Sequence, residues 1–190
     1  EPQHPFKGTT EPDYTGYDKN GNLKGDEKYS WCKAPRYENL PHEVGPLARM
    51  VVGYAQGHKE IKGLVDSTLK TTGLPATVLF STLGRTAARA LETKYIADHT
   101  EEWVNELIGN VKKGDTRTWT PCDLPAKPAQ GRGMTEPPRG ALGHWIKIEN
   151  GAISNYQAVV PSTWNCSPRD KAGLRGPYEE SLIGTKLAKV

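Results

Sequence analysis

Two short segments combine residue types that could grip a small polar group. In Pro137-Pro138-Arg139-Gly140-Ala141-Leu142-Gly143-His144-Trp145, an arginine follows two residues of locked φ and precedes a glycine. Stiff backbone on its N-terminal side would then hold the guanidinium as a fixed positive charge. In Val160-Pro161-Ser162-Thr163-Trp164-Asn165 a small apolar wall leads into two hydroxyls, which suits a compact anion or a polar diatomic. Composition alone favours a plainer reading, an arginine in a salt bridge beside a capped loop. The common catalytic signatures are missing: there is no GxSxG, no HExxH and no phosphate-cradling GxxxxGK followed by Ser or Thr. Gly131-Arg132-Gly133 reads as part of a proline-rich loop, without the strand and helix a nucleotide motif needs. His4, His42, His58, His99 and His144 stand far apart and read as surface or satisfied core histidines rather than metal ligands. Cys32, Cys122 and Cys166 are widely spaced and odd in number, which excludes a disulfide framework and a local CxxC site. They read as buried thiols.

The elements that must position these residues follow from local pattern. Residues 1–42 hold nine Gly or Pro and, from the aliphatic, Met and Phe set, only Phe6, Leu23 and Leu40. They form an irregular polar lead-in, with a turn at Asp18-Lys19-Asn20-Gly21-Asn22 and a short strand expected at 29–33. Residues 43–113 change to helical spacing. Pro46 suits a first helical position, and Leu47, Met50, Val51 and Tyr54 recur until Gly57. Ile61, Leu64, Val65 and Leu69 form a second stripe that stops at Gly73. A third run from about Pro75 to Lys113 is either one very long helix or two helices broken near Asp98-His99-Thr100. Residues 114–138 carry five prolines and read as loop. Residues 139–190 hold the strongest local signal, alternating strands around Asn150-Gly151 that predict a hairpin over 145–156 with a type I′ turn. The second strand runs on to Val160 and is stopped by Pro161, and a last helical pattern spans Pro177 to Lys189. The hairpin would bring the Arg139 and Ser162 segments to one end of the sheet. The expected fold class is α+β, mainly helical with long bundle helices and one hairpin, all within one domain of a larger subunit.

Composition sharpens that last point. The 190 residues suffice for one domain, and 20 glycines with 15 prolines exceed the usual combined share of about 12%. Leu, Ile, Val and Phe number 34, under the level of roughly 20% at which a chain begins to lack the means to bury a core alone. Net charge is only +3, with 5 Trp and 8 Tyr, which argues for order rather than disorder. The chain is therefore expected to complete its core against something else. Lys and Arg are scattered and the pI is near 8.7, so no nucleic-acid partner is expected. No stretch approaches the roughly 18 apolar residues of a transmembrane helix. Residues 1–5 carry no basic-then-apolar leader, so the expectation is a chain that neither spans a membrane nor carries its own address.

Several segments, taken in order, resemble one family. They are Tyr29-Ser30-Trp31-Cys32-Lys33-Ala34-Pro35-Arg36-Tyr37, Glu43-Val44-Gly45-Pro46-Leu47-Ala48-Arg49, Pro138 to Trp145, Val160 to Asn165, and Gly176-Pro177-Tyr178-Glu179-Glu180. The chain resembles the large, catalytic subunit of nickel-iron hydrogenases, most of all the membrane-associated uptake group, from near residue 4 to its end. That family holds nickel and iron with four cysteines in two CxxC pairs, and this chain has neither pair. It therefore looks like an internal-to-late piece of the subunit, with no nickel or iron ligand of its own. The remainder is a separate chain, a segment lost to proteolysis, or sequence that simply lies elsewhere.

The resemblance implies reversible cleavage of dihydrogen to protons and electrons at a nickel-iron centre bearing cyanide and carbonyl ligands. It implies that Arg139 lies over the metal pair and hydrogen-bonds one cyanide with Pro138 beside it, and that Ser162 bonds the second. Leu142, Val160 and Pro161 would form the dry apolar surround. A guanidinium is a poor base, which favours positioning and electrostatic stabilisation by Arg139 over direct proton abstraction; the resemblance allows either. Ala158 would offer a backbone carbonyl to a magnesium ion, with Lys33 nearby. The implied partners are the rest of the large subunit, an iron-sulfur small subunit and a membrane cytochrome, on the periplasmic side of the membrane. The alternative is a non-catalytic scaffold subunit of a related respiratory complex. Arg139 and Ser162 argue against it, since without cyanide they have no anion to hold.

Overall fold

A computed structural model describes residues 3–8, 16–22, 24, 28–123, 125 and 127–186. Contacts gather the chain into two compact units, residues 1–45 with 125–190, and residues 46–124.

In the unit of residues 46–124, Pro46 opens α1 (Pro46–Ala55), α2 follows at Lys59–Thr72, and a 3-10 turn at Ala76–Phe80 leads into α3 (Thr82–Lys112). Gly73 ends α2 in the left-handed conformation at φ 67°, its N–H bonded to the Leu69 carbonyl, the usual glycine helix stop. The third helical pattern resolves into a 3-10 turn and one helix, because Ser81 turns extended between them and its side chain accepts the Gly84 N–H. That is an N-cap, which starts a new helix rather than continuing an old one. From there α3 runs unbroken through 98–100. Leu47, Met50, Val65, Leu79 and Ala88 form the buried core, with Val51, Tyr54, Ile61, Leu69 and Leu91 packed against it. Two glycines permit the close approach. A Cβ on Gly53 would stand 2.6 Å from Ile61 Cδ1, and one on Gly84 would stand 2.5 Å from the Leu79 Cα. Arg49 pairs with Glu92 (Nη2 to Oε2, 2.9 Å) and ties α1 to α3. This core is small, and Leu83, Trp103, Val104, Leu107, Ile108 and Val111 of α3 stay exposed.

The other unit is built on a three-stranded antiparallel sheet in the order β1 (Ala129–Thr135), β2 (Leu142–Glu149), β3 (Ala152–Val159). The hairpin turns at Asn150-Gly151, both at positive φ (53° and 72°), as a type I′ turn requires. Pairing passes from Lys147↔Asn155 to Ile148↔Ile153, so Ser154 is an extra residue in a bulge. Strand β1 corrects the loop reading of 114–138: seven of those residues pair with β2 from Ala129↔Ile148 to Thr135↔Leu142. Ala129-Gln130-Gly131-Arg132-Gly133-Met134-Thr135 has no β-branched alternation to announce it, and the neighbouring strand supplies the pairing. Trp145 is the buried centre of β2. A Cβ on Gly143 would meet its ring, the His4 ring meets it edge-on at 6.3 Å, and the Pro5 carbonyl accepts from Asn155 Nδ2 at 3.0 Å.

After β3, Val160 caps a short helix α4 (Pro161–Asn165), and α5 covers Pro177–Leu182. The helical pattern that began at Pro177 is thus cut to six residues, since Ile183 turns extended; its final residues lie outside those described. The strand expected at 29–33 is irregular chain, held by side chains instead of a ladder. The Tyr29 hydroxyl donates to the Glu179 carboxylate and accepts the Arg169 N–H at 2.8 Å. The turn at 18–22 forms, with Asp18 Oδ1 accepting the N–H groups of Asn20 and Asn22. All three cysteines are exposed thiols, not the buried ones expected. Cys32 lies in irregular chain and Cys166 at the C-terminal cap of α4.

Candidate functional site

Register places the two purposeful segments. Leu142 at the start of β2 faces Thr135 at the end of β1, and Gly143 faces Val159 at the end of β3. The β1–β2 connection carrying Arg139 and the first turn of α4, which carries Ser162, therefore lie at the same end of the sheet.

Around Arg139 the chain makes a tight turn in which the Gly140 N–H bonds the Pro137 carbonyl at 2.9 Å. Pro138 and Arg139 are its central residues, and Pro138 presets the first of them. Gly140 is buried at φ 126° against Gly45 at φ 115°. A Cβ on Gly140 would stand 2.5 Å from the Gly45 nitrogen, and one on Gly45 would stand 2.7 Å from the Arg139 carbonyl oxygen. Only glycines allow backbones so close at such angles. The Val44-Gly45 strip is in turn fixed by Asn165, the last residue of α4. Its Oδ1 accepts the Val44 N–H at 2.9 Å and its Nδ2 donates to the Val44 carbonyl at 2.8 Å. One strip of backbone thus joins the Arg139 turn on one side to the helix of Ser162 on the other.

The side chains presented there differ in burial. Pro161 is buried and Leu142 half-buried, Val160 is 41% exposed, and Pro138, Arg139 and Ser162 are exposed. Among the described residues neither the Arg139 guanidinium nor the Ser162 hydroxyl has a hydrogen-bond or ion-pair partner. Behind them the scaffold is tightly bonded. Arg36, its side chain 8% exposed, bonds Asp170 Oδ2 at 2.8 Å, Ser167 Oγ, and the carbonyls of Pro35, Pro168 and Leu174. Burial pushes the Asp170 carboxyl up, but the Arg36 guanidinium and the N–H groups of Leu174 and Ala172 outweigh it and hold it below the ordinary carboxylate range.

Ala158 faces His144 across the ladder, and His144 Nδ1 meets the Tyr156 hydroxyl at 2.5 Å, so this histidine is satisfied locally. Lys33 is exposed in the 29–36 segment, and no hydrogen bond joins it to Ala158 among the described residues. The described residues contain no group of three His, Cys, Asp or Glu side chains able to hold a metal ion. A guanidinium and a hydroxyl without partners among the described residues, beside an apolar wall at one sheet end, are groups that can bond an anionic or polar ligand shell. Sequence reasoning passed over Gly45, Gly140 and Asn165 as a clamp. Two glycines flanked by bulkier residues were the available signal, but nothing local tells Asn165 that its partner is Val44.

Comparison with known proteins covers the whole chain. The pattern of the nickel-dependent hydrogenase family matches residues 1–190. The uptake hydrogenase large subunit of Rhizobium leguminosarum bv. viciae is 50% identical over 200 residues, which take in 97% of this chain and 33% of that one. The quinone-reactive Ni/Fe-hydrogenase large chain of Wolinella succinogenes is 49% identical over 197 residues, 97% of this chain and 34% of that one. Among solved structures, the Ni-Fe-Se hydrogenase from D. vulgaris Hildenborough in its reduced state superposes with a TM-score of 0.69 at 35% identity, over 97% of this chain and 40% of that chain. The chain spans about a third of the length of the curated relatives it matches.

Proposed function

Because the chain belongs to the nickel-dependent hydrogenase family, we propose that it works as part of a hydrogenase large subunit, lining the site of reversible dihydrogen cleavage to protons and electrons. The observation that carries this reading is the pair Arg139 and Ser162, a guanidinium and a hydroxyl without partners among the described residues, set at one end of one sheet and joined through Val44-Gly45. The cofactor would be a nickel-iron centre with cyanide and carbonyl ligands, and when bound it supplies the two-electron redox chemistry. Its cysteine ligands belong to sequence outside this chain.

Within that scheme this chain's residues bind, orient and keep dry. Arg139, whose backbone the Pro137–Gly140 turn fixes, would donate hydrogen bonds to one cyanide and supply a fixed positive charge to the centre. Charge-assisted bonds of this kind are about twice as strong as neutral ones, and a preset donor costs nothing to reorganise during reaction. The Ser162 hydroxyl would donate to the second cyanide. Leu142, Val160 and Pro161, with Pro138 beside Arg139, would exclude water from the carbonyl. The Ala158 carbonyl would be one ligand of a magnesium ion, which Lys33 would approach in that scheme. The partners are the remainder of the large subunit, an iron-sulfur small subunit that removes electrons and a membrane cytochrome, on the periplasmic face of the membrane; no helix among the described residues is long and apolar enough to cross it.

The test uses the complete protein containing this chain. It should contain nickel and iron and show infrared cyanide bands, and Ser162→Ala should shift a cyanide band while leaving metal content at the parent level. A protein without nickel, iron or cyanide bands would be a scaffold of the related respiratory kind. Bands unmoved by the substitution would remove Ser162 from the site.

A further inference from the structure

Cys32 and Cys166 are far apart in sequence, yet the fold lays their segments side by side within one compact unit. On one flank of Cys32, the Tyr29 hydroxyl accepts the Arg169 N–H at 2.8 Å. On the other flank, Arg36 Nη1 donates to Ser167 Oγ at 3.2 Å, and its Nη2 to the Pro168 carbonyl at 3.1 Å. The strip 29–36 is therefore strapped along 167–170 at both of its ends, and Cys166 precedes that stretch directly. Cys166 is also the C-cap of α4, its N–H bonded to the Ser162 carbonyl at 2.8 Å.

We propose that Cys32 and Cys166 form a reversible disulfide that pins the 29–36 segment to the C-terminal end of α4. Both thiols are exposed on the surface of this chain. Burial raises the Cys166 thiol above its ordinary range, and the charge of Cys32 raises it further; a direct charge effect of this kind acts between near neighbours. The oxidant is an external disulfide of the glutathione class. The Cys32 thiolate attacks one of its sulfurs and expels a thiolate, leaving a mixed disulfide on Cys32. Cys166 then gives up its proton and attacks the Cys32 sulfur, expelling the second thiolate. One S–S bond forms in the chain and one breaks in the oxidant, which takes up both electrons, and the two protons leave with the released thiols. The product closes a long loop, which restricts the unfolded chain, and fixes the helix that carries Ser162 and Asn165.

The test treats the complete protein with oxidised glutathione, alkylates remaining thiols before denaturation, and maps peptides without reduction. The expected result is a peptide joining the Cys32 and Cys166 segments, lighter by two hydrogens than the pair, which separates with dithiothreitol while Cys122 is alkylated. In Cys166→Ser, Cys32 should instead retain a single glutathione or be alkylated. Alkylation of both Cys32 and Cys166 after oxidation, or linkage of either to Cys122, would overturn the proposal.

Discussion

Asn165 fixes the candidate site through two hydrogen bonds to one residue 121 positions away. Truncating it to alanine takes these partners from the half-buried Val44 N–H and carbonyl, and an unsatisfied group costs about 1–3 kcal/mol when fully buried and less where water reaches it. Asn165→Ala should therefore lower the thermal midpoint of the complete protein and its activity together, as Gly45 drifts from Gly140. An unchanged midpoint, measured by calorimetry, would show that the clamp carries no strain. Part of this was readable in advance. The run Pro137-Pro138-Arg139-Gly140 dictates a tight turn through locked φ and a free glycine, and the structure places one there. The partner of Asn165 was not readable, because side-chain bonds to remote backbone leave no periodicity. Nor was the exposure of the three cysteines, since a thiol's burial depends on what the fold sets over it.

Elements whose cause is local were the legible ones. Asn150-Gly151 forces positive φ at both turn positions, so the hairpin follows from two residues, whereas β1 exists only because β2 offers it an edge. The long third pattern was ambiguous at 98–100, and there the packing of His99 accounts for continuity. His99 Nδ1 lies 2.8 Å from the Tyr95 carbonyl, and its ring lies against Tyr95 and Trp103 of α3. Its Nε2 reaches Glu60 of α2 at 3.1 Å. The Tyr95 carbonyl first, then the carboxylates of Glu60, Glu102 and Asp98, raise its pKa above the ordinary 6.5 against the opposing effect of burial. A raised folded-state pKa gives stability that is full below the unfolded value and lost as pH rises through the folded one. Hydrogen exchange across α2 and α3 should thus be slower in the parent than in His99→Gln in acid buffer, with the difference gone in alkaline buffer. A difference that grows with pH would contradict the Glu60 contact.

At the scale of the whole molecule, the shortage of Leu, Ile, Val and Phe anticipated a chain that cannot finish its own core. The structure shows its form: five buried apolar residues among those described in the helical unit, and a helix α3 with Trp103, Leu107 and Val111 open along its second half. Expressed alone, residues 1–190 should melt without cooperativity or aggregate, and should bind neither nickel nor iron; a cooperative, metal-loaded monomer in calorimetry and metal analysis would refute this. The central claim is that Arg139 serves the chemistry, and one kinetic comparison tests it most directly. In the complete protein, Arg139→Lys keeps the charge but replaces a planar fork of five donors with a point charge. A hydrogen bond to a charged group contributes roughly 1.5–3 kcal/mol, which at about 1.36 kcal/mol per decade is roughly a ten- to hundredfold loss in hydrogen oxidation. That loss is expected with nickel and iron content at the parent level. A metal-replete Lys variant that oxidises hydrogen at the parent rate would place Arg139 outside the reaction.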